Sequence, residues 1–185
     1  MLLTALRFSH TLLKEVVQPG DTVVDATMGN GNDTCFLAEL VGTSGKVYAF
    51  DIQEQALDAT RQKLTERSLT AQSELILDGH QYIENYVHQP IKAAVFNLGY
   101  LPNSDKTIIT LPQTTQQAFN QLLSRLVPSG RLVIVAYYGH PGGQEELAAV
   151  STFCRSLPQA EYNVLQYQFI NQKNQPPVLF CIEKK

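Results

Sequence analysis

The sequence predicts an α/β fold: a doubly wound, mostly parallel seven-stranded sheet finished by a C-terminal antiparallel hairpin. Three observations carry this. Short β-branched or aromatic runs alternate with helix-length stretches as far as residue 157. Those runs lack apolar–polar alternation, as strands buried on both faces do in parallel sheets. The rhythm breaks at the end, where two strand-like runs flank a loop too short for a crossover helix and must pair antiparallel. At 185 residues the chain reads as one ordinary domain, residues 1–185, with no internal repeat, low-complexity tract or linker.

Leu2, Leu3, Leu6, Leu12, Leu13, Val16 and Val17 recur at helical spacing, so residues 1–18 hold a leading helix that Pro19 and Gly20 terminate. Strands are expected at 22–26, 46–52, 74–78, 93–97 and 131–138. Helices are expected between them at 33–41, 53–67, 81–87 and 113–127, with another at 143–157. The closing strands are 162–170 and 178–183, around the loop 171–177. Residues 101–111, with Pro102, Asn103, Ser104 and Asp105, form the one long mid-chain loop, and loops of that length are usually functional. In a sheet of this kind ligands gather at the carboxyl ends of the strands.

Charged residues are 17% of the chain against about 25% in an average domain, which disfavours polyelectrolyte tails and solvated coiled coils. A net charge of −3 argues against holding nucleic acid by bulk electrostatics, while leaving room for a local basic patch. Arg7, His10 and Lys14 fall on one helical face that either meets phosphates or is simply solvated; Lys106 and Lys173 sit in loops that would add contacts. The longest apolar runs, such as 132–138, fall far short of the roughly 18 residues of a membrane helix. The charged N-terminus does not read as a signal peptide, and a cytoplasmic address is expected. Cys35, Cys154 and Cys181 are widely spaced and read as buried reduced thiols rather than metal ligands or a disulfide.

Chemistry begins after the first strand, in Asp-Ala-Thr-Met-Gly-Asn-Gly-Asn-Asp-Thr from Asp25 to Thr34. Gly29 and Gly31 allow the tight strand-to-helix turn and close backbone approach that a ligand requires. Asp51 ends the second strand at the offset of about 20 residues expected of an acid that grips a ribose diol. Together they point to a nucleoside-bearing cofactor. A dinucleotide fingerprint would place a third glycine where Thr34 stands, and Asp33 would repel a pyrophosphate. S-adenosylmethionine suits the site better, since Asp25 and Asp33 complement its ammonium and sulfonium; Asp33 also reads as a plain helix cap.

The stretch from Asp25 to Thr34, joined to Asp51-Ile52-Gln53 and Asp78-Gly79-His80, resembles class I S-adenosylmethionine-dependent methyltransferases over nearly the whole chain. It is most similar to a small bacterial rRNA methylase family, now linked to methylation of 5-aminomethyl-2-thiouridine at the tRNA wobble position. That resemblance implies a Rossmann-like sheet and a cofactor site lined by Asn30, Asn32, Asp33, Asp51, Gln53, Gly79 and His80. Gln53 would flank the ribose and adenosine, with Gly79 and His80 beside the adenine. Asp78 can accept from the adenine amine, and His80 also reads as a residue that starts a helix.

Amine methyltransferases commonly carry Asp or Asn, two prolines and an aromatic after the fourth strand; here Asn97 and Tyr100 remain, with Leu98 and Gly99 in place of the prolines. Asn97 can orient a target amine and Tyr100 can stack on a base, or the two form an ordinary turn. An alkylamine must shed a proton to become nucleophilic, and the candidate acceptors are Asp33, His80, Tyr138 and His140. No metal is expected, because in-line transfer from a sulfonium rests on positioning. The expected partner is tRNA through its anticodon stem-loop, without a membrane, and a homodimer is open. An rRNA or small-molecule methyltransferase is the alternative among enzymes, and a non-catalytic nucleoside-binding module the alternative outside them.

Overall fold

A computed structural model describes residues 1–99 and 110–185 of the chain. Its strands are β1 (Thr22–Asp25), β2 (Lys46–Asp51), β3 (Ser73–Leu77), β4 (Ile91–Leu98), β5 (Leu126–Ala136), β6 (Tyr162–Tyr167) and β7 (Val178–Lys184). The helices are α1 (Ala5–Val16), α2 (Asn32–Val41), α3 (Glu54–Glu66), α4 (Pro112–Arg125) and α5 (Gly143–Ser156). They form one sheet in the order β3-β2-β1-β4-β5-β7-β6. Strand β7 runs antiparallel to both of its neighbours, and the other neighbouring pairs are parallel. This is the expected doubly wound sheet with its C-terminal hairpin.

Period-two alternation divides the side chains between two cores. Val24, Phe50, Ala94, Phe96 and Ile134 pack with α4 and α5 on one face. Val23, Val47, Ala93, Val95 and Val133 pack with α1 and α2 on the other. Central strands are therefore apolar on both faces, which is why their sequences do not alternate. The three cysteines are buried and free.

Three expectations shift. The helix read at 81–87 is a 3₁₀ turn, His80–Asn85, interrupted at Tyr82 (φ −105°, ψ 18°). Both Ile83 and Val87 are fully buried and the chain must enter β4 at Ile91, which leaves no length for a regular helix. Strand β5 starts at Leu126 rather than 131, because the turn-like residues 127–130 lie inside the ladder: Ile91 pairs with Leu126 and Ala93 with Arg131. Strand β6 ends at Tyr167, short of 170.

Helix α1 starts where Thr4 Oγ1 accepts from the Arg7 N–H at 3.3 Å. Arg131 of β5 then fastens the helix, donating to Leu12 O at 2.8 Å and Glu15 at 2.6 Å while its Nε reaches Glu183 of β7 at 2.9 Å. That clamp sets α1 across the sheet. Among the described residues no helix is long and apolar enough to cross a membrane.

Candidate active site

The turn after β1 is built by backbone requirements. Gly31 caps α2 at φ 74°, and a Cβ there would lie 2.7 Å from Thr60 Oγ1, so conformation and space both demand glycine. Thr60 in turn donates to Gly29 O at 3.1 Å. Asp51 holds the turn from the second strand, accepting from Gly29 N–H and from Gln53 N–H, each at 3.0 Å. A carboxylate has about four acceptor positions, so each Asp51 oxygen keeps one for a hydroxyl. Burial is the main influence raising its pKa.

Asp25 lies beneath the turn. It is fully buried and accepts from Thr34 Oγ1 at 2.6 Å and Thr27 N–H at 3.2 Å. Burial first, then the charges of Asp33 and Asp51, push its carboxyl up to about 7. Its direct role is that of a strut with unusual charge, and any effect on a ligand is through the field. Asn30 is half-buried in the turn, while Asn32 is exposed and receives Lys63 Nζ of α3 at 2.7 Å.

At the end of β3, Asp78 accepts from Gly79 N–H at 2.7 Å and from Tyr86 Oη–H at 2.8 Å. The His80 ring is buried edge-on to Phe96, with centroids 5.5 Å apart. Its Nε2 has no hydrogen-bond partner, and burial pushes its pKa down to about 4. His80 is therefore neutral at physiological pH, an acceptor of hydrogen bonds and a poor sink for a proton. Ile52, 60% exposed beside Asp51, supplies an apolar shelf that the sequence reading missed. An apolar residue directly after a strand-ending acid was the available signal.

Asn97 closes the constellation. Its N–H donates to Thr27 Oγ1 at 2.7 Å, and its side-chain Nδ2 donates to Asp33 Oδ2. Its Oδ1 is buried without a partner. The other Asp33 oxygen lies 2.6 Å from His10 Nε2 of α1. His10, read as part of a phosphate-facing stripe, thus turns inward to the site while Arg7 and Lys14 on the same helix face stay exposed.

The fifth strand redistributes the roles expected after it. Tyr138 packs against the core on the α4 and α5 side. Tyr137 is on the Asn97 side by alternation; burial and then the charge of Asp33 raise its pKa. His140 spans its own turn, with Nδ1 2.9 Å from Pro141 O and Nε2 2.8 Å from Tyr137 O. Both nitrogens are engaged with the backbone. Tyr100 and Lys106 lie outside the described residues.

The family model for rRNA methylases matches residues 47–183, and that of the ubiE/COQ5 methyltransferases matches residues 7–85. The chain is 36% identical to a chloroplastic tRNA (mnm(5)s(2)U34)-methyltransferase of Arabidopsis thaliana, over 98% of this chain and 70% of that protein. Two solved structures match over 100% of both chains at 48% identity. One is an rRNA methylase from Clostridium thermocellum, with a TM-score of 0.98. The other is a methyltransferase from Streptococcus mutans in complex with SAH, with a TM-score of 0.93.

Proposed function

The chain belongs to the rRNA methylase family and is a methyltransferase, and from that premise we propose the aminomethyl nitrogen of tRNA wobble 5-aminomethyl-2-thiouridine as its target, with S-adenosylmethionine as donor. The observation that carries the target class is Asn97: a buried, unpaired amide oxygen beside a carboxylate at the end of β4. An amine N–H is its natural complement.

The residues present fit the cofactor. Asp51 has acceptor positions left for a ribose diol, His80 Nε2 is a buried acceptor lacking a donor, and the carboxylates Asp25, Asp33 and Asp51 complement an ammonium and a sulfonium. Gly29 takes φ 49°, a backbone conformation that favours glycine and keeps the turn free of a side chain. Bound there, S-adenosylmethionine supplies a methyl carbon made electrophilic by its sulfonium.

The chain's own part is to prepare the nucleophile. A lysine-like amine, with a pKa of about 10.4, costs roughly 4 to 5 kcal/mol to present neutral at pH 7. Asn97 Oδ1 accepts one N–H and so aims the nitrogen lone pair. Of the expected proton acceptors, His80 is weakly basic and Tyr138 packs against the core, while Asp33 lies beside Asn97 and His140 in the turn after the fifth strand. Exposed Arg7 and Lys14, on the helix face that carries His10 to the site, suit the flanking phosphates.

Transfer of radioactive methyl from S-adenosylmethionine to purified tRNA, rRNA and a small-amine pool tests this. Label is expected in tRNA and lost on ribonuclease treatment; label confined to rRNA or to the small-molecule pool contradicts the assignment.

A further inference from the structure

An asparagine amide turns readily about its last side-chain bond and can present either oxygen or NH₂ to a substrate. A carboxylate only accepts, so the contact with Asp33 commits Asn97 Nδ2 to that side and leaves Oδ1 facing the other way, buried and unpaired. Asp33 can itself turn. It stands in the first turn of α2, where the helix dipole favours a carboxylate, and is 7% exposed. Its second oxygen is fixed 2.6 Å from His10 Nε2.

His10 is fixed as well. Its ring stacks on Phe36 with centroids 4.0 Å apart and planes 7° from parallel. Asp33 and Phe36 are three residues apart on α2, so one helix face receives the ring from α1 both by stacking and by hydrogen bond. A contiguous series of contacts runs from α1 through α2 to the end of β4.

We propose that His10 is a positioning residue for methyl transfer: through Asp33 it holds the Asn97 amide with its oxygen toward the amine. The inference rests on the amine-methylation reading and adds the leading helix to the active site.

The test compares kcat and KM for tRNA, and SAH affinity by calorimetry, in the wild type, His10→Ala, His10→Gln, Asn97→Ala and the double variant His10→Ala/Asn97→Ala. His10→Ala is expected to lower kcat about tenfold, with KM and SAH affinity within about twofold. His10→Gln recovers most of the loss, since its amide can donate to Asp33. Because His10 acts through Asn97, removing it in the Asn97→Ala background costs less than about twofold more. Equal losses in both backgrounds, or a raised KM with kcat unchanged, overturn the proposal.

A second arm does not depend on the substrate. The Asn97 side-chain NH₂ signals, identified in NMR spectra by their absence from Asn97→Ala, are expected to shift in His10→Ala and to return toward wild type in His10→Gln. Signals indifferent to His10 overturn the proposal. A wild-type chain that fails to methylate tRNA refutes the substrate assignment alone, and the NMR result then decides the role of His10.

Discussion

Burying an amide oxygen without a partner costs about 1 to 3 kcal/mol of folding free energy, and Asn97 carries that cost at the end of β4. A site that accepts such a cost in the free protein recovers it when a donor arrives. Asn97→Ala should therefore lower the single-turnover rate about 10² to 10³-fold, with SAH affinity little changed; kinetics and calorimetry on the same preparation check both. Asp25 yields a prediction in pH. Burial, then Asp33 and Asp51, raise its folded pKa to about 7, so below that pH it holds a proton that a bound cation would expel. Cofactor affinity should climb as pH rises from about 5 to 7 and level off above, with proton release measurable by calorimetry in buffers of different ionisation heat. The same shift makes stability without cofactor fall across that window, since the ionised form is favoured in the unfolded chain. Asp51 and the glycine turn were legible because strand-end spacing fixes them. The sequence points to Tyr138, whereas the structure packs Tyr138 against the core and puts Tyr137 within the influence of Asp33, because only the phase of β5 separates the two.

Among the elements, α1 is the one whose role the sequence conveyed least. Its apolar spacing announced a packed helix, but the approach of His10 to Asp33 depends on where Arg131 clamps that helix across the sheet, a contact far away in sequence. Arg7 and Lys14 remain exposed on the face that carries His10. Replacing both by Gln should raise KM for tRNA and flatten its salt dependence, leaving SAH affinity unchanged; equal KM values at two salt concentrations would remove α1 from the RNA surface. The turn between β1 and α2 offers a stability test. Gly31→Ala places a Cβ against Thr60 at positive φ and should cost about 1 to 3 kcal/mol in urea unfolding, together with lost SAH binding. The 3₁₀ turn at His80–Asn85 was misread as a longer helix because its apolar pattern suits both, and only the distance to β4 separates them.

For the molecule as a whole, strand order locates the chemistry. The sheet runs outward from β1 through β2 to β3 on one side and from β4 through β5 on the other, so the strand order reverses between the parallel neighbours β1 and β4. Ligands of open α/β sheets bind at such a reversal. Asp25 ends β1, Asn97 lies near the end of β4, and Thr27 joins them through the Asn97 N–H. This much followed from counting strands, whereas the substrate depends on side chains that the fold itself does not select. Mass spectrometry of tRNA nucleosides, before and after incubation with the purified chain and S-adenosylmethionine, is the most direct test. The prediction is that 5-aminomethyl-2-thiouridine disappears in step with growth of a product one methyl group heavier, and that Asn97→Ala slows the conversion. Unaltered 5-aminomethyl-2-thiouridine, with methyl appearing on another nucleoside or nowhere, would contradict it.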